Sequence, residues 1–187
     1  MKKIMFNDKF LLTEAILDGT KTMTRRVIKK ELPIGNWEET QNKLPYKVGD
    51  VVAVAQRYSD IGAASFERWE EETDWFNKGF SNKMFVRAEY MPHHIRITDV
   101  KIEHLQDITD EDCLKEGIMD VIPADDESKC EGYGYRTSDG GYFLYNTPRE
   151  AFESLINKIS GSGTWKSNPL VAAYSFELVD YSKLIKY

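Results

Sequence analysis

The chain has 187 residues, 41% of them hydrophobic and 30% charged, and a net charge of −6. That balance fits one globular domain over 1–187 with insertions, and it excludes a disordered or fibrous chain. No apolar run approaches the roughly 20 residues that span a bilayer, and the acidic total disfavours a non-specific duplex binder.

Met1 to Asp8 reaches charge too early for a signal peptide, so a cytoplasmic location without membrane attachment is expected. Residues 13–18 predict a short helix, with Gly19 as its stop. Thr20 to Lys30 reads as an extended segment, and 31–47 as a loop marked by Pro33, Gly35 and Pro45. Val51 to Val54 is a short buried strand. Residues 59–83 mix acids with aromatics and read as an insertion carrying a short helix. Met84 to Tyr90 predicts a strand, and His94 to Glu103 a second one. In that second strand, a bulge near Thr98-Asp99 would put Ile95, Ile97, Val100 and Ile102 on one face.

Thr109 has capping-box spacing with Asp112 and opens a helix that ends at Gly117. Residues 120–146 form a second, irregular insertion, with a hairpin turn at Asp139-Gly140-Gly141 between Tyr135 and Tyr142. Thr147, Pro148 and Glu150 start a helix whose buried face carries Phe152, Leu155, Ile156 and Ile159. Gly161 ends it, and Leu170 to Val179 is a final strand. The order lacks regular βαβ alternation. An α+β fold with a small, mostly antiparallel barrel or sheet and peripheral short helices is expected.

Cys113 and Cys130 make neither a disulfide framework nor a zinc spacing and are read as reduced thiols. His93 and His94 point to opposite faces of a strand, so they do not chelate together, and no metal or cofactor is called for. Gly161-Ser162-Gly163 lacks the spacing of a phosphate loop. Trp69, Trp75, Tyr133 and Tyr135 could stack on bases, although packing is the commoner use of such rings.

The densest chemistry lies from Gly19 to Arg26. Five of the ten residues from Lys21 to Lys30 are basic, none is acidic, and Thr20, Thr22 and Thr24 add hydroxyls. Such a segment suits an anion or a polar base edge, and equally suits a solvated edge strand. Glu116 is the second candidate. It sits in the last turn of the helix opened by Thr109, where the dipole opposes a carboxylate and favours a base; a solvated Glu beside Lys115 is the plainer alternative.

The pattern Gly19-x-Lys21-x-x-Thr24-x-Arg26 resembles the signature of the ASCH domain, a relative of the PUA RNA-binding domain. Lys47-Val48-Gly49-Asp50-Val51 resembles that family's Gly-Asp strand start. Leu105-Gln106-Asp107-Ile108-Thr109, then Glu116-Gly117-Ile118, and Trp165 to Val171 are similar to the larger phage- and prophage-associated members. Ala53-Val54-Ala55-Gln56 stands where such members often carry Trp-Val-Arg-Glu.

The resemblance implies a PUA-like β-barrel with a cleft between barrel and helices. It also implies kinship with bacterial amidohydrolases that deacetylate N-acetylcytidine. On that pattern Lys21 and Thr24 correspond directly to working residues, and Glu116 corresponds by its place after the helix opening. Gly19, Arg25 and Arg26 are then expected at the substrate. The implied ligand is a small nucleoside, with RNA or modified-nucleotide binding without catalysis as the alternative. Lys21 and Thr24 stand three apart, so in a straight strand they would face opposite ways.

Overall fold

A computed structural model describes residues 1–28, 36–61, 78–121 and 132–180. Residues 62–77 of the expected insertion at 59–83, residues 122–131 of that at 120–146, Lys29, Lys30, Pro33, Gly35, Trp69, Trp75 and Cys130 lie outside the described residues.

The fold is α+β. The chain opens with β1 (Lys3–Ile4), passes through a tight turn at Asp8–Phe10, and enters α1 (Leu12–Leu17). Gly19 stops this helix at φ +81°, the left-handed backbone that favours glycine. Then come β2 (Met23–Val27), α2 (Trp37–Lys43) and β3 (Val51–Val54). The expected loop at 31–47 therefore contains a helix. Asn36 caps it by accepting from the backbone N–H groups of Glu38 and Glu39.

After α3 (Lys78–Ser81), Met84 to Tyr90 is not the expected strand but a pair of one-turn helices at Lys83–Phe85 and Ala88–Tyr90. Tertiary contacts take up its backbone groups instead of a ladder. Lys3 Nζ donates to the carbonyls of Met84 and Val86, and the Arg87 N–H donates to the Tyr58 hydroxyl.

β4 (His94–His104) and β8 (Leu170–Val179) form the long central pair. Their register shifts between Ile97 and Asp99, which is the expected bulge. It turns Ile95, Ile97 and Val100 into buried residues, with Ile102 half-buried beside them. The five strands run in the order β1-β3-β4-β8-β2, antiparallel except for β1 beside β3.

Among the described residues, β1 and β2 do not pair, so hydrogen bonding leaves the expected barrel unclosed. The short β1 ends at Ile4, and no backbone ladder joins it or the residues after it to β2. The Arg26 side chain bridges that opening, donating from Nη2 to the Met5 carbonyl at 2.6 Å.

A second sheet, order β5-β6-β7, holds β5 (Met119–Val121), β6 (Gly132–Arg136) and β7 (Tyr142–Tyr145). The described part of the 120–146 stretch is thus regular, with the hairpin where the turn residues place it. Gly134 faces the β7 backbone so closely that a Cβ would overlap the Phe143 carbonyl oxygen. Gly134→Ala is expected to cost about 1–3 kcal/mol, read as a lower midpoint in urea unfolding. An unchanged midpoint would show that the hairpin tolerates a wider spacing.

α4 (Asp110–Lys115) follows β4, and α5 (Pro148–Ser160) and α6 (Thr164–Ser167) precede β8. Thr109 and Thr147 cap α4 and α5 as their sequences predict, accepting from the N–H groups of Asp112 and Glu150. Phe152, Leu155 and Ile156 are buried, and they join one core cluster with Ile4, Val52, Ile97, Leu105, Cys113 and Tyr174. Ile159, expected on the same buried face, is exposed. It lies in the last turn of the helix and lines a cavity instead of the core. Tyr135 is buried, stacks against Phe143 and Tyr145, and shares a hydrogen bond with Ser154, so it serves packing.

Candidate functional site

The unclosed seam between β1 and β2 is a cavity of about 500 Å³. Met5, Phe6 and Asn7 wall one side, Thr24, Arg26 and Val27 the other, and Phe152, Leu155, Ile156 and Ile159 of α5 close a third. Lys21, Arg25 and Glu116 add charged groups to the lining, and Ser160, Thr164 and Ser167 add hydroxyls. The volume and the mixed lining suit a small organic ligand.

Lys21 and Thr24 meet in this cavity because Lys21 is not in the strand. It sits in the connection between α1 and β2, with its N–H donated to the Ala15 carbonyl at 2.7 Å. The Thr22 N–H donates to Lys115 O, the last carbonyl of α4, and Thr22 O accepts from the Phe176 N–H of β8. These two bonds pin the connection against the end of α4, where Glu116 stands as C-cap. The strand alternation that would separate Lys21 from Thr24 begins only at Met23.

Lys21 is 2% exposed. Its ammonium donates to Glu116 Oε2 at 2.7 Å, Glu116 O at 2.6 Å and Met23 O at 2.8 Å. All three protons thus have acceptors. Burial is the strongest influence on this group and pushes its pKa below the ordinary 10.5. Glu116 pulls the value back up, and Arg26 and Arg25 push it further down.

The unfolded lysine therefore holds its proton to higher pH than the native one. Stability from this group rises with pH between the lowered native value and 10.5. Urea unfolding of the native chain and of Lys21→Met across that interval is expected to show the native chain gaining relative to the variant as pH rises. A relative loss would overturn this reading of the buried amine.

Arg25 lines the cavity, and its guanidinium is engaged by acids. Its guanidinium meets Glu103 at 2.7 Å, Asp112 at 2.7 Å and Glu116 at 3.3 Å, and Nη1 also donates to Met23 Sδ. Glu116 is thus held by two cations, Lys21 on Oε2 and Arg25 on Oε1. Asp112 is burdened by burial, which pushes its carboxyl up. Hydrogen bonds from Arg25 and Lys115, with their charges, outweigh that and hold it below the ordinary 3.8.

Arg26 lies across the Phe6 ring, 5.3 Å from its centroid. Its Nε–H is buried at the cavity wall and has no partner among the described residues. Thr24, also buried, faces Tyr174 across the β2–β8 ladder. Gly19 does not line the cavity; it ends α1 and sets the path into Lys21. Cys113 on α4 is no rival nucleophile, because burial pushes its thiol up to about 12. Among the described residues no group of three or more His, Cys, Asp or Glu is placed to hold a metal ion, and no helix is long and apolar enough to cross a membrane.

Sequence reasoning missed Glu103, Asp112 and the Met5-Phe6-Asn7 wall. Asp112 was visible only as a capping acid. Nothing local marks Glu103 or Phe6, whose partners are distant in the chain.

No protein-family model matches this chain, and no curated protein matches it. Solved structures similar to it include protein EF3133 from Enterococcus faecalis V583, described as DUF984. That match has 13% identity, 96% of this chain and 81% of the other covered, and a TM-score of 0.45. Another is an ASCH domain from Lactobacillus crispatus JV V101, with 13% identity, 92% and 75% coverage, and a TM-score of 0.38. The site is read from its own geometry.

Proposed function

We propose that the chain is a small amidohydrolase acting on an N-acylated cytidine or a similar nucleoside, on a PUA-like scaffold of the ASCH type. The observation that carries this is the convergence of Lys21, Thr24 and Glu116 on one cavity of ligand size. The seam between sheet edge and helices is taken, in this reading, as the cleft the resemblance implies.

In the proposed reaction the Thr24 hydroxyl oxygen attacks the acyl carbon of the amide. Lys21 first passes one proton to Glu116, which turns a buried ion pair into a neutral pair and exposes the amine lone pair. Lys21 then takes the Thr24 proton. The oxyanion accepts from the Arg26 Nε–H, a donor that has no other partner among the described residues. The C–N bond breaks as the lysine–glutamate pair returns a proton to the leaving amine. Water cleaves the Thr24 ester through the same pair, giving a carboxylic acid and restoring the hydroxyl. Arg25 acts as a positioning residue that holds Glu116 from the side away from Lys21.

One observation favours a second reading. All three Lys21 protons already have acceptors. A non-catalytic module for a modified nucleotide needs no proton shift there. The deciding experiment incubates the protein with N-acetylcytidine and related N-acylated nucleosides and follows substrate by chromatography. Equal appearance of cytidine and acetate supports the hydrolase. Binding by a folded sample with no product selects the binding module.

A further inference from the structure

A second cavity of about 500 Å³ lies beside the first. Asn7 lines both, and α5 supplies Phe152 to Ser160 to one and Lys158 to the other. Its remaining walls are Lys9 and Phe10 from the N-terminal turn and Thr137, Asp139, Gly141, Tyr142 and Phe143 from the β6–β7 hairpin. The hairpin is docked there by the Ser138 N–H, which donates to Lys9 O at 2.9 Å.

We propose that this cavity is a phosphate subsite for the ligand held in the first. The preferred ligand is then a nucleotide, not a free nucleoside. The inference rests on the nucleoside reading of the first cavity.

Three observations carry it. Lys158 and Lys9 both line the cavity, and neither forms an ion pair among the described residues. Lys158 Nζ rests 3.2 Å from the Phe143 ring centroid and 5.4 Å from that of Tyr135. The ring faces hold the cation in the wall of the cavity, and no side-chain carboxylate among the described residues pairs with it. Lastly, Asp139, the one carboxylate in the lining, is turned inward on its own hairpin. Its Oδ1 accepts from Thr137 Oγ1 and from the Gly141 N–H at 3.3 Å. Two ammonium groups outside any ion pair among the described residues, against the single carboxylate of Asp139 that Lys9 in part offsets, leave a net positive wall, which suits a phosphate monoester.

The test is calorimetric binding of cytidine, its 5′-monophosphate and its 3′-monophosphate to the full chain and to three variants. One monophosphate is expected to bind about tenfold or more tightly than cytidine. Lys9→Met with Lys158→Met should erase that gain and leave cytidine affinity and nucleoside turnover unchanged. Asp139→Asn, which keeps the acceptor and removes the charge, should enlarge the gain; a merely structural role would not. Equal affinity for nucleoside and nucleotides, or a gain that survives loss of both lysines, overturns the subsite. Absence of N-acetylcytidine turnover with the gain intact removes only the hydrolase reading. Turnover with no phosphate gain removes only the subsite.

Discussion

Thr24→Ala is expected to abolish turnover of N-acetylcytidine, and Lys21→Ala and Glu116→Gln to lower it by about 10²–10⁴-fold. The alanine at 24 removes the attacking oxygen from a buried wall and costs little packing. Lys21 and Glu116 share one proton in the proposed reaction, so their effects should not add: the double variant should be about as slow as the slower single one. Glu116→Gln keeps the shape and one oxygen near Lys21 Nζ, so slow turnover in a chain that melts normally would mark a chemical role. Unchanged turnover in both Lys21→Ala and Glu116→Gln would sink the mechanism. Turnover retained in Thr24→Ala alone would replace the threonine by a water activated at the same pair.

Arg25→Ala is expected to lower stability by about 3–5 kcal/mol, a fall in melting temperature on the order of 10 °C. The Arg25 side chain is 1% exposed and stands among Glu103, Asp112 and Glu116. Its removal leaves three carboxylates facing one another, offset among the described residues by Lys21 and Arg26 beside Glu116 and by Lys115 beside Asp112. Arg25→Lys keeps the charge but not the fork that reaches three acids at once, so it should fall between.

The pH dependence follows from Asp112. Its native carboxyl sits below the ordinary 3.8, so the stability it contributes is fully present above that value. This stability is lost as pH falls through the depressed native value. In Arg25→Ala the carboxylates gain relief by taking up protons. The gap between native chain and variant should therefore narrow in acid. Urea unfolding at neutral pH and near pH 3, below the ordinary 3.8, measures it. A gap under about 1 kcal/mol at neutral pH, or one that widens in acid, would contradict the three-acid account.

Much of the secondary structure was legible because its causes are local. Thr109 and Thr147 announce the starts of α4 and α5, Gly19 the end of α1, and Asp139-Gly140-Gly141 the hairpin between β6 and β7. The parity change across Thr98-Asp99 announced the bulge in β4. The misses have two kinds of cause. Asn36 carried a local cap signal for α2 that the neighbouring prolines and glycine outweighed. Met84 to Tyr90 has the composition of a strand, but Lys3 and Tyr58 claim its backbone groups from elsewhere in the fold.

The candidate site divides the same way. Residue type marked the basic stretch from Gly19 to Arg26, and helix position marked Glu116; the roles of Lys21, Thr24, Arg26 and Glu116 came from the family resemblance. Their meeting is a tertiary event. Lys21 and Glu116 are 95 positions apart and are joined by a bond from Thr22 to the end of α4. The role of Arg25 also emerged only in three dimensions, because its three acids come from β4 and α4. The cavity is the space left where β1 ends too early to pair with β2. Capping, turn chemistry and strand parity act over a few residues and can be read in order along the chain. Which charges are buried together, and where a sheet fails to close, depend on contacts between distant segments.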